Sequence, residues 1–113
     1  QIRSSFPIYT VDDIIGERIL SLAHWDVEGN ELNLLHGATA TIHKSKPVVT
    51  LETFPKTNPE NHRAVMNWMS INQYTCVTID EVCGYPRDCR NHVCLPNDTP
   101  LPNGCIDKKG IRD

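Results

Sequence analysis

The apolar positions of this chain alternate between two patterns, and the alternation predicts an α/β protein. A nearly continuous apolar run from Ile19 to Trp25 has no helix caps and suits a strand buried on both faces, as in a parallel sheet. After this run the apolar spacing changes to three and four residues, which places one set of side chains on a helical stripe: Leu32, Leu35, Ala38 and Ile42. The sequence therefore predicts a strand, a tight acidic turn and a helix that extends over residues 29–44.

Further elements follow on both sides of this unit. Thr10 is a plausible N-cap for a short helix that ends at Gly16. The β-branched run Pro47–Glu52 predicts a second buried strand, and Pro59, preceded by the cap Asn58, opens a helix. Two short strands, over residues 74–79 and 91–95, then flank a turn-rich stretch and are expected to form an antiparallel pair.

These elements predict a three-layer α/β fold whose sheet is mostly parallel, with an antiparallel strand pair at its end. Residues 1–96 are expected to form one partial domain and residues 97–113 a flexible tail, since the tail is rich in proline and glycine. The strand 19–25 should lie inside the sheet, yet no earlier strand in the chain can flank it. We therefore expect an exposed sheet edge that pairs with a missing N-terminal half or with another chain.

Charge and hydropathy restrict the classes of partner. The net charge is −3, and no basic run is longer than Lys108-Lys109, which argues against a nucleic-acid interface. No apolar stretch approaches the roughly 20 residues that a membrane-spanning helix needs, and the N-terminus lacks the apolar region of a signal peptide. The stretch Asn97-Asp98-Thr99 fits the N-glycosylation sequon, which has meaning only for a chain that enters the secretory pathway. No compartment is predicted from these features.

The 5 cysteines all lie between residue 76 and the C-terminus, and their pattern leaves three interpretations open. Cys83, Cys89, His92 and Cys94 offer zinc ligands, but their spacing lacks the C-x2-C knuckles of structural zinc sites. A disulfide such as Cys83–Cys89 is the second interpretation. Ordinary free or buried thiols are the third.

Asp26 and Glu28 interrupt the apolar pattern where the first strand gives way to the helix. Acidic side chains at this position commonly cap free helix N–H groups or interact with the helix dipole, which would be a purely structural role. Gly29 suits a turn that needs a permissive backbone. A functional role is the alternative, because the carboxyl ends of parallel strands are where open α/β sheets bind ligands.

Three segments resemble the C-terminal half of the FkbM-type methyltransferases, a family of the class I S-adenosylmethionine-dependent superfamily. They are YTVDDIIGERILSLAHWDVEGNELNLLHGA, KPVVTLE and RNHVCLP. They match a Thr-x-Asp-Asp segment, a strand ending in Asp-Val-Glu-Gly-x-Glu, a Gly-Ala near the end of the next helix, a strand ending in Glu, and a closing Arg-Asn-x-x-x-x-Pro. The resemblance covers about residues 9–96, but His24 stands where the family usually has Lys, and Trp25 where it has Ile or Leu.

The resemblance implies a Rossmann-like fold and methyl transfer from S-adenosylmethionine to a hydroxyl of a sugar or another small molecule. Asp26 is then the first candidate for the base that accepts the hydroxyl proton, and Glu28 is the second. His24, two residues before Asp26 on the same strand face, would orient that acid or act as the base itself.

Binding roles follow from the same resemblance. Asp26 and Gly29 would lie on the cofactor side of the crevice, while Glu31 and Glu52 would contact the acceptor, and no metal is expected. The glycine-rich turn and the acidic ribose-binding position of the superfamily do not occur in this chain. We therefore expect the chain alone to be inactive and to bind S-adenosylmethionine poorly. The alternatives are a non-catalytic truncated or diverged α/β interaction module and a small zinc-stabilised binding module.

Overall fold

The computed structural model describes residues 5–79 and 88–100. In that part of the chain the helices are α1 (Val11–Ile15), α2 (Glu31–Gly37), α3 (Thr39–Ser45) and α4 (Pro59–Ile71). The strands are β1 (Leu22–Trp25), β2 (Val48–Thr53), β3 (Tyr74–Thr78) and β4 (Arg90–Pro96). The expected α/β class is confirmed. No helix of the described residues is long and apolar enough to cross a membrane, in agreement with the sequence.

The four strands form one mixed sheet in the order β1-β2-β4-β3. The β1–β2 pairing is parallel, whereas β4 is antiparallel to both of its neighbours. The antiparallel pair at the end of the sheet is confirmed, but the expectation of a mostly parallel sheet is wrong. The reason is the position of β4, which inserts between β2 and β3 and so contributes two antiparallel pairings.

The first strand lies at an edge of this sheet, and it is shorter and less buried than its apolar run predicts. Ala23 is buried, while Leu22 is 62 % exposed and Ile19, which precedes the strand, is 66 % exposed. The prediction of a central strand covered on both faces is therefore wrong. Among the described residues β1 has a hydrogen-bonded neighbour only on the β2 side.

All the helices that contribute to the hydrophobic core pack on the same sheet face. The core joins buried side chains of α2, the α2–α3 junction, α3 and α4 to those of β2: Leu35, Ala38, Ile42, Val65, Met69, Val49 and Leu51. The connections from β1 to β2 and from β2 to β3 both move across the sheet in the same direction. Because crossover connections share one handedness, the helices within them lie on the same face of the sheet. The described residues therefore form two layers instead of the expected three.

The stripe predicted over residues 29–44 is buried as expected, but it belongs to two helices. The helix is interrupted at Ala38, which is the C-cap of α2 and the N-cap of α3. Gly37 lies against Thr10, since a Cβ atom at this glycine would stand 3.1 Å from the Thr10 Cβ. The break allows α1 to approach both helices closely.

Asp12 of α1 supplies the cap that α3 lacks locally. Its carboxylate accepts hydrogen bonds from Ala40 N (3.1 Å), Thr41 N (2.8 Å) and Thr41 Oγ1 (2.7 Å). Burial raises the pKa of Asp12, but the hydrogen bonds from Thr41 and Ala40 outweigh burial and leave the pKa below its usual value. In the sequence this acid stands in the first turn of its own helix, but in the structure it caps a different helix.

The other predicted caps are confirmed. Thr10 and Asp13 form a reciprocal capping box at the start of α1. At the start of α4, Asn58 accepts a hydrogen bond from Asn61 N, and Pro59 occupies the first turn.

Cys76 and Cys94 lie opposite each other on β3 and β4 and form a disulfide. Cys89 is disulfide-bonded as well. The interpretation as ordinary thiols is therefore wrong for these three residues. The proposed Cys83–Cys89 pairing involves Cys83, which lies outside the described part of the chain. Residues 101–113 of the expected flexible tail lie outside it too. Within the described part of that tail, Asn97 N donates to Gln73 O at 2.8 Å.

Candidate functional site

Three carboxylates meet at the carboxyl ends of the two parallel strands. Asp26 directly follows β1, Glu28 lies in the next turn, and Glu52 is the penultimate residue of β2. Parallel pairing brings these strand ends to the same edge of the sheet. Ligand oxygens from all three side chains lie within 4.8 Å of one another. The structure thus brings together three of the residues that the sequence singled out.

The turn that carries Glu28 has a strained backbone. Asn30 N donates to Val27 O at 3.2 Å, and the two residues between them have positive φ angles, 51° at Glu28 and 94° at Gly29. Two successive positive φ angles define a type I′ turn, which glycine accommodates and glutamate does not favour. The predicted need for a permissive backbone is therefore met at Gly29, while Glu28 stores strain.

Neither Asp26 nor Glu28 caps the helix that follows them. The N-cap of α2 is Asn30, and no side chain caps this helix. Both carboxylates are exposed, and neither forms a hydrogen bond or ion pair with another residue in the described ranges. Capping of α2 therefore does not explain why two acids stand at this turn.

Glycine at position 28 provides a test of this interpretation. We expect Glu28→Gly to raise the free energy of unfolding by about 0.5–1 kcal/mol, because the released strain exceeds the added chain entropy. Urea unfolding followed by circular dichroism measures the change, with Glu60→Gln, an exposed acid in the first turn of α4, as the control. A loss of stability in Glu28→Gly would show that this carboxylate stabilises the fold.

The buried carboxylate of Glu31 holds the backbone of the acidic turn in place. Its side chain is buried, with 1 % exposure, and its carboxylate accepts hydrogen bonds from Val27 N (3.0 Å), Gly29 N (3.2 Å) and Asn61 Nδ2 (3.1 Å). These contacts place the Glu31 oxygens against the loop backbone and α4, apart from the three clustered acids. Asn61 was not singled out from the sequence, because a polar residue in the first turn of a helix carries no distinctive pattern.

His24 lies on the open face of the sheet. Its Nδ1 is 2.7 Å from Thr50 Oγ1 on the neighbouring strand, and its ring is exposed. Side chains alternate along a strand, so Thr50 and Glu52 share one face of β2. The structure therefore places His24 on the same face as Glu52, one strand away.

A buried polar network lies on the opposite, helix-covered face of the same strands. Thr53 Oγ1 is 2.8 Å from both His62 Nδ1 and His92 Nε2, and Thr78 Oγ1 is 3.1 Å from His92 Nδ1. Both ring nitrogens of His92 thus have threonine partners. Since Cys89 and Cys94 are in disulfides, the zinc set proposed from the sequence offers no free ligand atom among its described residues.

The environment of this network disfavours protonated histidine. Burial, together with the positive charges of His62 and Arg90, lowers the pKa of His92 to about 4. Burial and Arg63 also lower the pKa of His62, against a smaller opposing effect of Asp88. The sequence pattern indicated His92 only as a possible zinc ligand and gave no sign that it pairs with His62.

Asp88 fixes the loop that follows β2. Its carboxylate accepts hydrogen bonds from Lys56 N (2.9 Å), Thr57 N (2.7 Å) and Thr57 Oγ1 (2.7 Å). Burial raises the pKa of Asp88, but these hydrogen bonds outweigh burial and leave it below its usual value. The loop is therefore held against the start of β4, next to the strand end that carries Glu52.

A groove of about 310 Å³ runs beside the acidic turn. Its lining includes Tyr9, Val27, Asn30 and Leu34, so one wall is the turn itself. Its volume is at the lower end of the range typical of small-molecule sites. The groove provides apolar surface on the side of the turn formed by Val27 and Asn30.

The site residues fit two kinds of positively charged group. Carboxylate oxygens are the ligands of Mg²⁺ and Ca²⁺, and Asp26, Glu28 and Glu52 are the one such set found in the described ranges. The same negative charge also complements the sulfonium of S-adenosylmethionine. The described residues contain no glycine-rich turn between a strand and a helix.

Comparison of the chain with protein-family models, with curated proteins and with solved structures found no match.

Proposed function

We propose that this chain is the C-terminal part of an FkbM-type, S-adenosylmethionine-dependent methyltransferase that methylates a hydroxyl of a sugar or another small molecule. One observation carries the proposal. Asp26, Glu28 and Glu52 converge at the carboxyl ends of adjacent parallel strands, the position where open α/β sheets bind ligands. The sequence resemblance supports the reaction class, and the absence of a capping role for Asp26 and Glu28 supports a role in chemistry.

In this proposal the chain binds and deprotonates the acceptor. S-adenosylmethionine supplies an electrophilic methyl group when it is bound. The Asp26 carboxylate, which has no protein partner among the described residues, accepts the proton of the acceptor hydroxyl. General-base catalysis of this kind contributes about 10²–10⁴-fold to a rate.

The neighbouring residues position the acceptor. Glu52 and Glu28 bind further acceptor hydroxyls, and the groove beside Val27 holds the apolar part of the molecule. His24 uses Nδ1 to contact Thr50, which leaves its Nε2 to face the acceptor or Asp26. Glu31 does not touch the acceptor in this proposal, and it acts by holding the turn that carries Asp26 and Glu28.

The test is methyl transfer by the natural-length gene product. We expect transfer of a labelled methyl group from S-adenosylmethionine to sugar or polyol acceptors, and we expect Asp26→Asn to lower kcat by about 10²–10⁴-fold. Glu17→Gln, which removes an exposed acid paired with Lys44, is the matched control and should retain full activity.

Two results would contradict the proposal. Full activity of Asp26→Asn would exclude this residue as the base. Tight binding of S-adenosylmethionine by the isolated 113-residue chain would contradict the inference that residues outside it hold the cofactor.

A non-catalytic interaction module is the second candidate, and the edge of the sheet favours it. Leu22 on β1 is 62 % exposed, and Ile79, which follows β3, is 40 % exposed. An unpaired edge strand with exposed apolar side chains is a template for a strand of another chain. Concentration-dependent assembly in sedimentation equilibrium, together with the absence of methyl transfer, would favour this candidate.

A further inference from the structure

The turn that follows β4 carries the sequon Asn97-Asp98-Thr99. We propose that Asn97 is an N-glycosylation site and that this part of the protein folds in the lumen of the secretory pathway. The inference does not depend on methyl transfer. It rests on the disulfide chemistry of the neighbouring strands and on the geometry of the turn.

The disulfides indicate the compartment. Cys76 and Cys94 are joined across β3 and β4, and Cys89 is disulfide-bonded too. Structural disulfides form and persist in oxidising compartments and are rare in the cytosol. Cys94 lies only three residues before Asn97, so the element that carries the disulfide leads directly into the sequon. The disulfides therefore support the condition that the sequence alone left open, which is entry into the secretory pathway.

The turn presents Asn97 in a form that can carry a glycan. Thr99 N donates to Pro96 O at 2.9 Å, which places Asn97 at the second position of a β-turn, and the residue is exposed. Asn97 N donates to Gln73 O (2.8 Å), and Thr75 Oγ1 donates to Asn97 Oδ1 (2.5 Å). The backbone and the amide oxygen are therefore held, while Nδ2 has no hydrogen-bond partner among the described residues.

The position of the turn keeps a glycan away from the acidic cluster. Because β4 is antiparallel to β2, the turn after β4 lies at the amino-terminal edge of the β2 strand. Asp26 and Glu52 lie at the opposite, carboxyl-terminal edge. A glycan on Asn97 and a ligand at the acids would occupy opposite ends of the sheet.

The reaction transfers an oligosaccharide from a lipid-diphosphate donor. Nδ2 of Asn97 forms a bond to the anomeric carbon of the first sugar, while the bond from that carbon to the diphosphate breaks. The lipid diphosphate leaves, and Nδ2 loses one of its two protons. Thr99 supplies the hydroxyl at the third position that the sequon requires.

The experiment uses the natural-length gene product expressed in eukaryotic cells. We expect a discrete increase in mass that peptide N-glycosidase removes, with the deamidation at position 97 located by peptide mass spectrometry. Asn97→Gln and Thr99→Ala should abolish the modification completely, and Thr99→Ser should retain it. Asn91→Gln, a change of another asparagine on β4 that is not in a sequon, should leave the glycan in place.

The same preparation provides the results that would overturn the inference. Protein with intact Cys76–Cys94 disulfide and unmodified Asn97 would show that the sequon is not used. Free thiols at Cys76 and Cys94 in the purified protein would remove the argument for an oxidising compartment. Retention of the glycan in Thr99→Ala would show that the modification is at another residue.

Discussion

Replacing Glu31 with alanine is expected to lower the free energy of unfolding by roughly 2–4 kcal/mol. The side chain is buried, and its carboxylate satisfies Val27 N, Gly29 N and Asn61 Nδ2. Removing the acceptor leaves these partly buried donors without their partner. A small domain has about 5–15 kcal/mol of stability, so this loss is a large part of the total.

Urea unfolding at pH 7 measures the effect. Glu31→Gln separates shape from charge, because it keeps the volume but presents an NH₂ group to N–H donors, and we expect it to lose nearly as much stability as alanine. Glu60→Gln is an exposed control in α4 and should change stability by no more than about 0.5 kcal/mol. A loss in Glu31→Ala no greater than in this control would show that the turn does not depend on Glu31.

Stability is expected to fall as the pH is lowered from about 6.5 to about 4, because His92 must stay neutral in the folded state. Its pKa is lowered to about 4 from an ordinary value of 6.5. Between these values the unfolded chain binds a proton that the folded chain does not, so stability is present above the unfolded pKa and is lost on acidification. The expected loss is on the order of 3 kcal/mol, since one pKa unit corresponds to about 1.4 kcal/mol.

The geometry disfavours protonation of both His62 Nδ1 and His92 Nε2 at the same time. Thr53 Oγ1 bridges His62 Nδ1 and His92 Nε2 with a single hydroxyl proton. With both bridging nitrogens protonated, the hydroxyl would have to accept twice, and its own proton would lose its partner. His62, whose pKa is also lowered, adds to the same pH dependence.

NMR titration of the imidazole signals and urea unfolding across this pH range provide the measurement. His92→Leu should flatten the dependence between pH 6.5 and pH 4, although it also destabilises the fold at pH 7, because it removes the partner of the Thr78 hydroxyl and one of the two partners of the Thr53 hydroxyl. His36→Gln, an exposed helix residue, should leave the slope unchanged. A His92 signal that titrates near 6.5 would contradict the prediction.

Asp12 and Asp88 affect stability in a lower pH range, because a carboxylate with a lowered pKa loses its contribution to stability only below its ordinary value of 3.8.

The residues of the acidic cluster could be predicted because they depend on local order along the chain. Asp26 follows an apolar run and Glu52 lies at the end of another, so parallel pairing of the two strands suffices to bring the acids together. The caps at Thr10 and Asn58 were equally visible, because a cap and its helix are adjacent in sequence. The reaction class remains a prediction of the sequence resemblance.

The contacts that sequence reasoning missed join residues far apart in the chain. Asp12 caps α3 across 28 and 29 residues, Thr53 reaches His92 across 39, and Asn61 reaches Glu31 across 30. No local pattern marks such a pair, because each partner has an ordinary explanation where it stands. Asp12 suits its own helix, and Glu31 suits the first turn of α2.

The amino-acid sequence by itself determined the order of the helices and strands, apart from the interruption at Ala38 that divides one predicted helix into α2 and α3, since hydrophobic spacing and caps act over a few residues. The tertiary structure alone decided that β4 inserts between β2 and β3, that β1 is an edge strand, and that the helices cover one face. These features depend on which surfaces pack against each other. An apolar run shows that a strand is to be buried, but it does not show which neighbour buries it or on which side.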